Sequence, residues 1–184
     1  MTGAMRPKPE VLYSEEQIRA RVQTIGAQIG EQFKGEELRV IGLMKNCLVF
    51  MADLIRAIPL ETTSHLVRCH YEQGQIAQTD IVFEADFSFE GQNVLLLEDV
   101  IATGITNNYL LESMRQHQPA QLRVCALIDR KDDRRVEMQP DWTAFELTDA
   151  SESFVVGYGL DYAEHYRGLP YLGTIPRPTA DAAE

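Results

Sequence analysis

Two adjacent acids, Glu98 and Asp99, stand where a strongly apolar segment of the chain ends. The segment before them, Val94 to Leu97, predicts a strand that is buried on both faces. Two carboxylates at the end of a buried strand repel each other and lose hydration unless a cation or hydroxyl groups meet them. This acidic pair therefore predicts a site for a metal ion or for the hydroxyls of a sugar.

The loop after the acidic pair has the composition of a phosphate site. Its residues are Ala102, Thr103, Gly104, Ile105 and Thr106, and a helix is predicted from Asn107 onward. Loop amides and the positive end of a helix can hold a phosphate, and Gly104 lets the backbone approach it closely. The alternative is a structural turn in which Thr103 or Thr106 only caps the helix. The neighbouring acids favour the phosphate site.

The composition indicates one globular domain, residues 1–184, with a substantial core. Hydrophobic residues make up 45% of the chain and charged residues 24%, which excludes disorder over most of its length. The net charge of −11 argues against a nucleic-acid partner and against a membrane held by bulk electrostatics. An anionic small substrate stays open, because local amides, cations and a metal ion can hold a phosphate.

The cysteines and the apolar segments indicate a cytoplasmic protein. Cys47, Cys69 and Cys125 are an odd number without metal-ligand spacing, as expected of a reduced chain. No apolar run approaches the length that spans a membrane, and the N-terminus lacks a signal-peptide pattern.

Alternating strand and helix patterns predict an α/β fold with a mostly parallel central sheet flanked by helices. Ser14 to Gln17 form a capping box that starts an amphipathic helix, and Gly35 is expected to close it. Strands are then predicted at 38–44, 60–69, 94–97, 122–128 and 142–147, with helices at 48–58 and 107–117. The charged stretch 129–137 is, by itself, expected to be a solvated loop.

The segment Gly91 to Asn108 resembles the phosphoribosyl-diphosphate (PRPP) motif of the type I phosphoribosyltransferases. The shared features are a hydrophobic strand, two acids, two apolar residues and a loop with Thr-Gly-x-Thr. A second segment, VVGYGLDYAEHYRGLPY from Val155 to Tyr171, resembles the C-terminal signature of the hypoxanthine-guanine enzymes of that family. The resemblance covers roughly residues 12 to 175, and implies a core of about 36–150 with a small hood from about 11–20 and 151–175.

The resemblance implies a purine-salvage enzyme that uses Mg²⁺. The 5-phosphoribosyl group would move from PRPP to a 6-oxopurine, hypoxanthine or guanine, giving IMP or GMP and pyrophosphate. The implied partners are PRPP, the purine base and the nucleoside monophosphate product, with no nucleic acid and no membrane. These enzymes are commonly dimers or tetramers, so the resemblance also implies a homodimer or homotetramer.

The central motif would bind the phosphoribosyl half of PRPP. By resemblance, the loop Ala102 to Thr106 would hold the 5′-phosphate, while Glu98 and Asp99 would hold the ribose hydroxyls beside the reacting carbon. Tyr71 matches the tyrosine of a mobile loop that closes over the sugar in this family. Such a lid suits the chemistry, because water must be excluded from a cation-like sugar.

Two other parts of the chain would meet the pyrophosphate and the metal. Lys45 and Asn46 stand where the family has its pyrophosphate loop, usually a lysine-glycine pair, and Arg167 follows the C-terminal signature. Asp161 lies within that signature, and the resemblance places it near Mg²⁺ together with the acidic pair.

The base pocket would form from the ends of two later strands. Arg130 takes the place of the lysine that donates to the 6-oxo group, with Lys131 as an adjacent substitute. Either side chain donates to a carbonyl, and neither suits the exocyclic amine of adenine. The residues implied to surround the purine are Ile101, Arg130, Phe154, Val155 and Asp161.

The chain departs from the family pattern at Ala102, where the hypoxanthine-guanine enzymes usually carry an aspartate assigned to proton transfer. Adenine enzymes commonly have alanine there, so the loop is expected to bind phosphate still. Water or a lid residue such as Glu72 would then take the proton. Asn46, Arg130 and His70 are further departures. The alternative function is a catalytically weakened protein that binds PRPP or a nucleotide as a regulatory signal.

Overall fold

The apolar segments form the strands of two sheets in the computed structural model, which describes residues 7–71, 79–82, 88–148 and 153–176. The strands are β1 (Glu10–Tyr13), β2 (Leu38–Leu43), β3 (Thr62–Tyr71), β4 (Thr79–Val82), β5 (Asn93–Ile101), β6 (Gln121–Asp129), β7 (Trp142–Glu146), β8 (Ser153–Val156) and β9 (Leu172–Pro176). The helices are α1 (Glu15–Gln32), α2 (Leu48–Ala57) and α3 (Ile105–Arg115). Among the described residues, no helix is both long and apolar enough to cross a bilayer.

The central sheet has the strand order β4-β3-β2-β5-β6-β7. Strands β3, β2, β5, β6 and β7 run parallel, and β4 pairs antiparallel with the end of β3. This arrangement confirms the predicted α/β fold. Strand β3 continues through His70 and Tyr71, so the prediction that a loop begins at His70 is wrong.

Strand β5 is longer than the apolar run that predicted it. Its pairing with β6 continues from Glu98 to Ile101, opposite Ala126 to Asp129. The acidic pair therefore lies inside the strand rather than after it. Because successive side chains of a strand point to opposite faces, Glu98 and Asp99 are turned to different sides of the sheet.

Both faces of β5 are covered, as its continuous apolar sequence requires. Leu95 and Leu97 belong to the core cluster that includes residues of α1 and α2. Val94 and Leu96 belong to a second cluster that includes residues of α3. By the same alternation, Glu98 follows Leu96 to the α3 side and Asp99 follows Leu97 to the opposite side.

The second sheet joins the two terminal parts of the described chain. Its order is β1-β9-β8, and both pairings are antiparallel. The terminal segments thus form the small hood that the resemblance implied. The proposed residue boundaries between core and hood stay predictions.

Helix α1 begins with the predicted capping box. The Ser14 hydroxyl accepts from the Gln17 backbone N–H at 3.3 Å, and the Ser14 N–H donates to Gln17 Oε1 at 2.8 Å. The helix ends at Gln32, before Gly35, which has a positive φ in the following turn. Buried Ile18, Val22, Ile25 and Ile29 carry its apolar face.

The α1–α2 contact depends on a residue without a side chain. A Cβ atom at Gly26 would lie 2.6 Å from the Ala57 carbonyl carbon and oxygen. Gly26→Ala is therefore expected to lower the free energy of unfolding by about 1–3 kcal/mol, as overpacking does. Chemical denaturation of both proteins measures the change. Without the clash, alanine would stabilise the helix interior by roughly 0.5–1 kcal/mol, so a more stable variant would contradict this close packing.

Candidate active site

A cavity of about 250 Å³ lies at the carboxyl edge of the central sheet. Ligand sites of open parallel sheets occur at this edge, where loops from neighbouring strands meet. Asn46 follows β2, Asp99 and Val100 lie near the end of β5, and Arg130 follows β6. The hood supplies the rest of the wall. The lining residues are Asn46, Asp99, Val100, Arg130, Phe154, Val155, Leu160 and Asp161.

The Asn46 side chain connects the acidic pair to the hood. Its Nδ2 donates to Asp99 Oδ2 at 2.6 Å, and its Oδ1 accepts from a terminal nitrogen of Arg167. An amide can serve a carboxylate and a guanidinium at once because it has a donor end and an acceptor end. A glycine at this position could make neither contact. Asn46 is not among the described residues with positive φ, so this turn does not require a glycine at that position.

The backbone around Asn46 is closely packed by the hood. Gly159 has a φ of 97°, and a Cβ there would lie 2.5 Å from the Asn46 carbonyl oxygen. A residue with a side chain would therefore be both strained and too close. The Met44–Lys45 peptide just before this turn is cis.

Arg167 and Lys45 already share an anionic partner. Arg167 contacts Asp161 Oδ1 at 2.9 Å and donates to the Gly159 carbonyl oxygen at 2.9 Å. Glu164 accepts from Lys45 Nζ at 2.8 Å and from an Arg167 terminal nitrogen at 3.3 Å. Hydrogen bonds from Lys45 and then Arg167 lower the pKa of Glu164. The two cations thus share Glu164, and Arg167 also contacts Asn46 and Asp161, which line the cavity.

Glu98 differs from Asp99 in its surroundings. Its side chain is 1% exposed, and Oε1 lacks a hydrogen-bond partner. Burial raises the pKa of Glu98 to about 8; the Asn107 side chain opposes this shift by hydrogen bonding, and the charge of Asp99 adds to it. Glu98 is therefore mainly protonated at neutral pH, whereas Asp99 faces the cavity.

The loop between β5 and α3 presents a helix start without a side-chain cap. Gly104, with a φ of 76°, is the N-cap residue, rather than Thr103 or Thr106. Thr103 Oγ1 accepts from the Ile105 N–H at a long 3.4 Å. Helix α3 begins at Ile105, two residues before the predicted start, so Ile105 and Thr106 belong to its first turn. First-turn amides have no partners within their helix and can bind an anion.

The residues predicted to read the base separate into two groups. Arg130, Phe154 and Val155 line the cavity with Asp161, and Phe154 packs against Tyr162 with ring centroids 5.5 Å apart. Ile101 is fully buried in the second core cluster and is not one of the lining residues.

Arg130 and Lys131, the adjacent substitute for it, have different surroundings. Arg130 Nε pairs with Asp133 Oδ2 at 2.7 Å beside the cavity. Lys131 is exposed, pairs with Glu146 at 2.7 Å and does not line the cavity.

The predicted lid is only partly within the described chain. Tyr71 is the last residue of β3, and its backbone pairs with Thr79 of β4. Glu72, the suggested proton acceptor, lies outside the described residues.

Two residues of this edge were not singled out by the sequence. The stretch 129–137 was expected to be solvated, but Asp129 is 1% exposed and the Arg134 side chain only 14%. A buried strand that continues directly into an acid was the available signal for Asp129.

Comparisons with known proteins agree with this architecture. The family described as "Phosphoribosyl transferase domain" matches residues 10–163. A hypoxanthine-guanine phosphoribosyltransferase of Bacillus subtilis is 36% identical over 169 residues, covering 90% of this chain and 92% of that protein. A hypoxanthine phosphoribosyltransferase of Haemophilus influenzae is 36% identical over 172 residues, covering 90% and 94%.

Solved structures give the same result. The crystal structure of a hypoxanthine-guanine phosphoribosyltransferase from Bacillus anthracis has a TM-score of 0.84 and 34% identity, covering 90% of this chain and 98% of that one. The chain therefore belongs to the type I phosphoribosyltransferase family, and within it to the hypoxanthine-guanine phosphoribosyltransferases. The family predicted from the residues is confirmed.

The raised pKa of Glu98 predicts a pH-dependent difference in stability. Between its ordinary value of 4.5 and about 8, the folded protein retains a proton that the unfolded chain has lost, so wild type loses stability as pH rises through this interval. Glu98→Gln removes that proton exchange. The stability of the variant relative to wild type is expected to increase from pH 5 to pH 8 in urea unfolding.

Glu90→Gln, at an exposed carboxyl, is the matched control and is expected to give a flat difference. If the difference in stability between Glu98→Gln and wild type is also independent of pH, the burial of the Glu98 carboxyl does not set its protonation.

Proposed function

We propose that this protein is a purine-salvage phosphoribosyltransferase that moves the 5-phosphoribosyl group of PRPP to a nitrogen of a 6-oxopurine, releasing pyrophosphate. The observation that carries the proposal is that Asp99, Arg130, Phe154 and Asp161 line one cavity, within a chain of this family. The residues proposed for the sugar and for the base thus adjoin an acid suited to a metal ion. Hypoxanthine and guanine are the proposed bases.

The departing pyrophosphate would be bound by Lys45, Asn46 and Arg167. It carries several negative charges, and charge-assisted hydrogen bonds from two cations stabilise its separation from the sugar. The contact of Asn46 with Arg167 and the shared partner of Lys45 and Arg167, Glu164, support the assignment, because they bring these residues together beside Asn46, which lines the cavity.

The reacting carbon of ribose becomes positively charged as its bond to pyrophosphate breaks. Asp99 faces the cavity and can hold a sugar hydroxyl while placing negative charge close to that carbon. Neutral Glu98, behind it on the α3 side, can donate as well as accept a hydrogen bond. Tyr71, at the end of β3, is the proposed lid residue.

The loop Ala102 to Thr106 would hold the 5′-phosphate. The uncapped start of α3 supports this role, since its first amides and its positive dipole suit an anion. Binding a group remote from the reacting carbon aligns the sugar for reaction and so lowers the barrier.

Arg130 would donate to the 6-oxo group of the base. Phe154 would stack on the purine, and the backbone of Val155 would read its edge. Their shared position on the cavity wall supports these roles. The buried side chain of Ile101 leaves only its backbone, or its support of the neighbouring strand, for a part in base binding.

The acids present fit Mg²⁺ as this family would use it. Among the described residues, no cluster of three or more His, Cys, Asp or Glu side chains forms a complete metal cage. Mg²⁺ commonly uses one or two carboxylates together with substrate phosphates and water. Asp161 and Asp99 line the same cavity and would hold the ion, whereas Glu98 is too enclosed to be a first choice. Bound Mg²⁺ would neutralise part of the pyrophosphate charge.

Ala102 cannot accept a proton, so another acceptor is required. We assign it to water or to Glu72.

The relatives named above are transferases of this class, and the comparisons give the regulatory alternative no support. The free, buried Cys47 and Cys125 support a reducing, cytoplasmic location. A homodimer or homotetramer stays a prediction.

The proposed activity is tested by pyrophosphate release from PRPP and Mg²⁺ with hypoxanthine, guanine, xanthine or adenine. Turnover is expected with hypoxanthine or guanine and not with adenine, because Arg130 offers only donors. Tight binding without turnover for every base would instead establish the regulatory alternative.

Restoring an acid at Ala102 tests the missing proton acceptor. Ala102→Asp is expected to raise the single-turnover rate with hypoxanthine by tenfold or more, within the roughly 10²–10⁴-fold that general acid–base catalysis contributes. Ala102→Asn, of the same size without basicity, is the matched control. If the aspartate variant reacts at the wild-type rate, proton transfer at this position does not limit the enzyme.

A further inference from the structure

We infer that Arg134 is a positioning residue that, with Asp129, sets the conformation of the phosphate loop. The inference rests on the proposed function, in which this loop binds the 5′-phosphate of PRPP. Arg134 lies in the segment 130–136 that follows β6, which we call the strap. Nothing in the sequence pattern separated it from the charged residues around it.

One guanidinium joins the end of β6 to the first residue of the loop. A terminal nitrogen of Arg134 pairs with Asp129 Oδ1, and the other donates to the Ala102 carbonyl oxygen at 3.1 Å. The Asp129 side chain is 1% exposed and that of Arg134 14%, so water screens this pair only weakly. A buried carboxylate in turn holds its cationic partner in place, because separation would leave a charge unpaired in the interior.

The strap binds three successive carbonyl oxygens, that of Ile101 at the end of β5 and those of Ala102 and Thr103 in the loop. The Arg130 N–H donates to Ile101 at 2.9 Å, Arg134 to Ala102, and the Arg135 N–H to Thr103 at 2.9 Å. In a trans peptide the N–H points opposite to the C=O. The N–H groups of the residues that follow each carbonyl, from Ala102 to Gly104, therefore point away from the strap. Holding three carbonyls on one side presents three amides on the other.

Contacts at Gly104 show how closely the strap follows the loop. A Cβ built on Gly104 would lie 3.0 Å from Arg134 Cδ and 3.0 Å from Val136 Cγ2. The loop turns at Gly104, which has a φ of 76° and is the N-cap residue of α3. Arg134 thus touches the loop before the turn by a hydrogen bond and at the turn by packing.

Arg134→Lys separates positioning from charge. Lysine keeps the cation for Asp129, but its single ammonium cannot reproduce the fork that binds a carboxylate and a carbonyl together. The matched control is Arg123→Lys, which alters the Arg123–Asp141 pair, 2.8 Å apart, on the same strand β6 but away from the loop. The affinity for ribose 5-phosphate, measured by calorimetry, reports on the loop. The affinity for pyrophosphate reports on the proposed pyrophosphate residues, Lys45 and Arg167.

The expected result for Arg134→Lys is at least tenfold weaker binding of ribose 5-phosphate, with pyrophosphate affinity within twofold of wild type. The KM for PRPP is expected to rise more than kcat falls, and Arg123→Lys to change neither ligand's affinity. Equal ribose 5-phosphate affinity in Arg134→Lys and wild type, or an equal loss for both ligands, would overturn the inference.

Two further measurements keep the outcome unambiguous. If Arg134→Lys does not fold, the double variant Asp129→Asn with Arg134→Gln removes both buried charges, and the same tenfold, ligand-selective loss is expected from it. If wild type binds neither ribose 5-phosphate nor PRPP, the proposed function itself fails. If wild type turns over PRPP and Arg134→Lys binds ribose 5-phosphate as tightly as wild type does, only the positioning role is refuted.

Discussion

The parallel pairing of β5 with β2 on one side and β6 on the other is the constraint on which the site depends. Parallel strands end at the same edge, so the turn at Asn46, the acid Asp99 and the side chain of Arg130 become neighbours although they are far apart in sequence. Hydrogen bonds then refine the arrangement. Asn46 joins Asp99 to the hood, and the strap after β6 joins the loop after β5.

The two acids of the central motif have different environments because they alternate on one strand. Glu98 is enclosed beside α3 and largely keeps its proton, whereas Asp99 reaches the cavity and is hydrogen bonded. Adjacent carboxylates would otherwise repel each other at close range. Strand geometry and burial thus remove most of the repulsion that made this pair conspicuous in the sequence. One acid provides charge, and the other provides a neutral hydrogen-bonding group.

Local sequence patterns predicted the fold, because buried strands and amphipathic helices can be recognised from short stretches of sequence. The resemblance to the family indicated five residues that meet in the cavity, through motifs with fixed spacing: Asp99, Arg130, Phe154, Val155 and Asp161. The sequence patterns failed where an outcome depends on partners distant in sequence. The length of β5 follows from pairing with β6, and the buried position of Arg134 follows from Asp129 and the Ala102 carbonyl. Likewise, the resemblance placed Asn46 in the pyrophosphate loop but did not predict its side-chain contacts, because these require two other parts of the chain.

Glu164 has a consequence for how the proposed pyrophosphate site would bind its anion. Its carboxylate is hydrogen bonded to Lys45 and Arg167, so an incoming anion would compete with it for these two cations. The net attraction for that anion is the difference between its own contacts with the two cations and the Glu164 contacts that it replaces. Glu164 and Ala163 both have positive φ, so this internal competitor sits on a turn that most residues adopt at some cost. A multiply charged anion would be bound less tightly than by two cations without this acid, so the proposed pyrophosphate product would leave more readily.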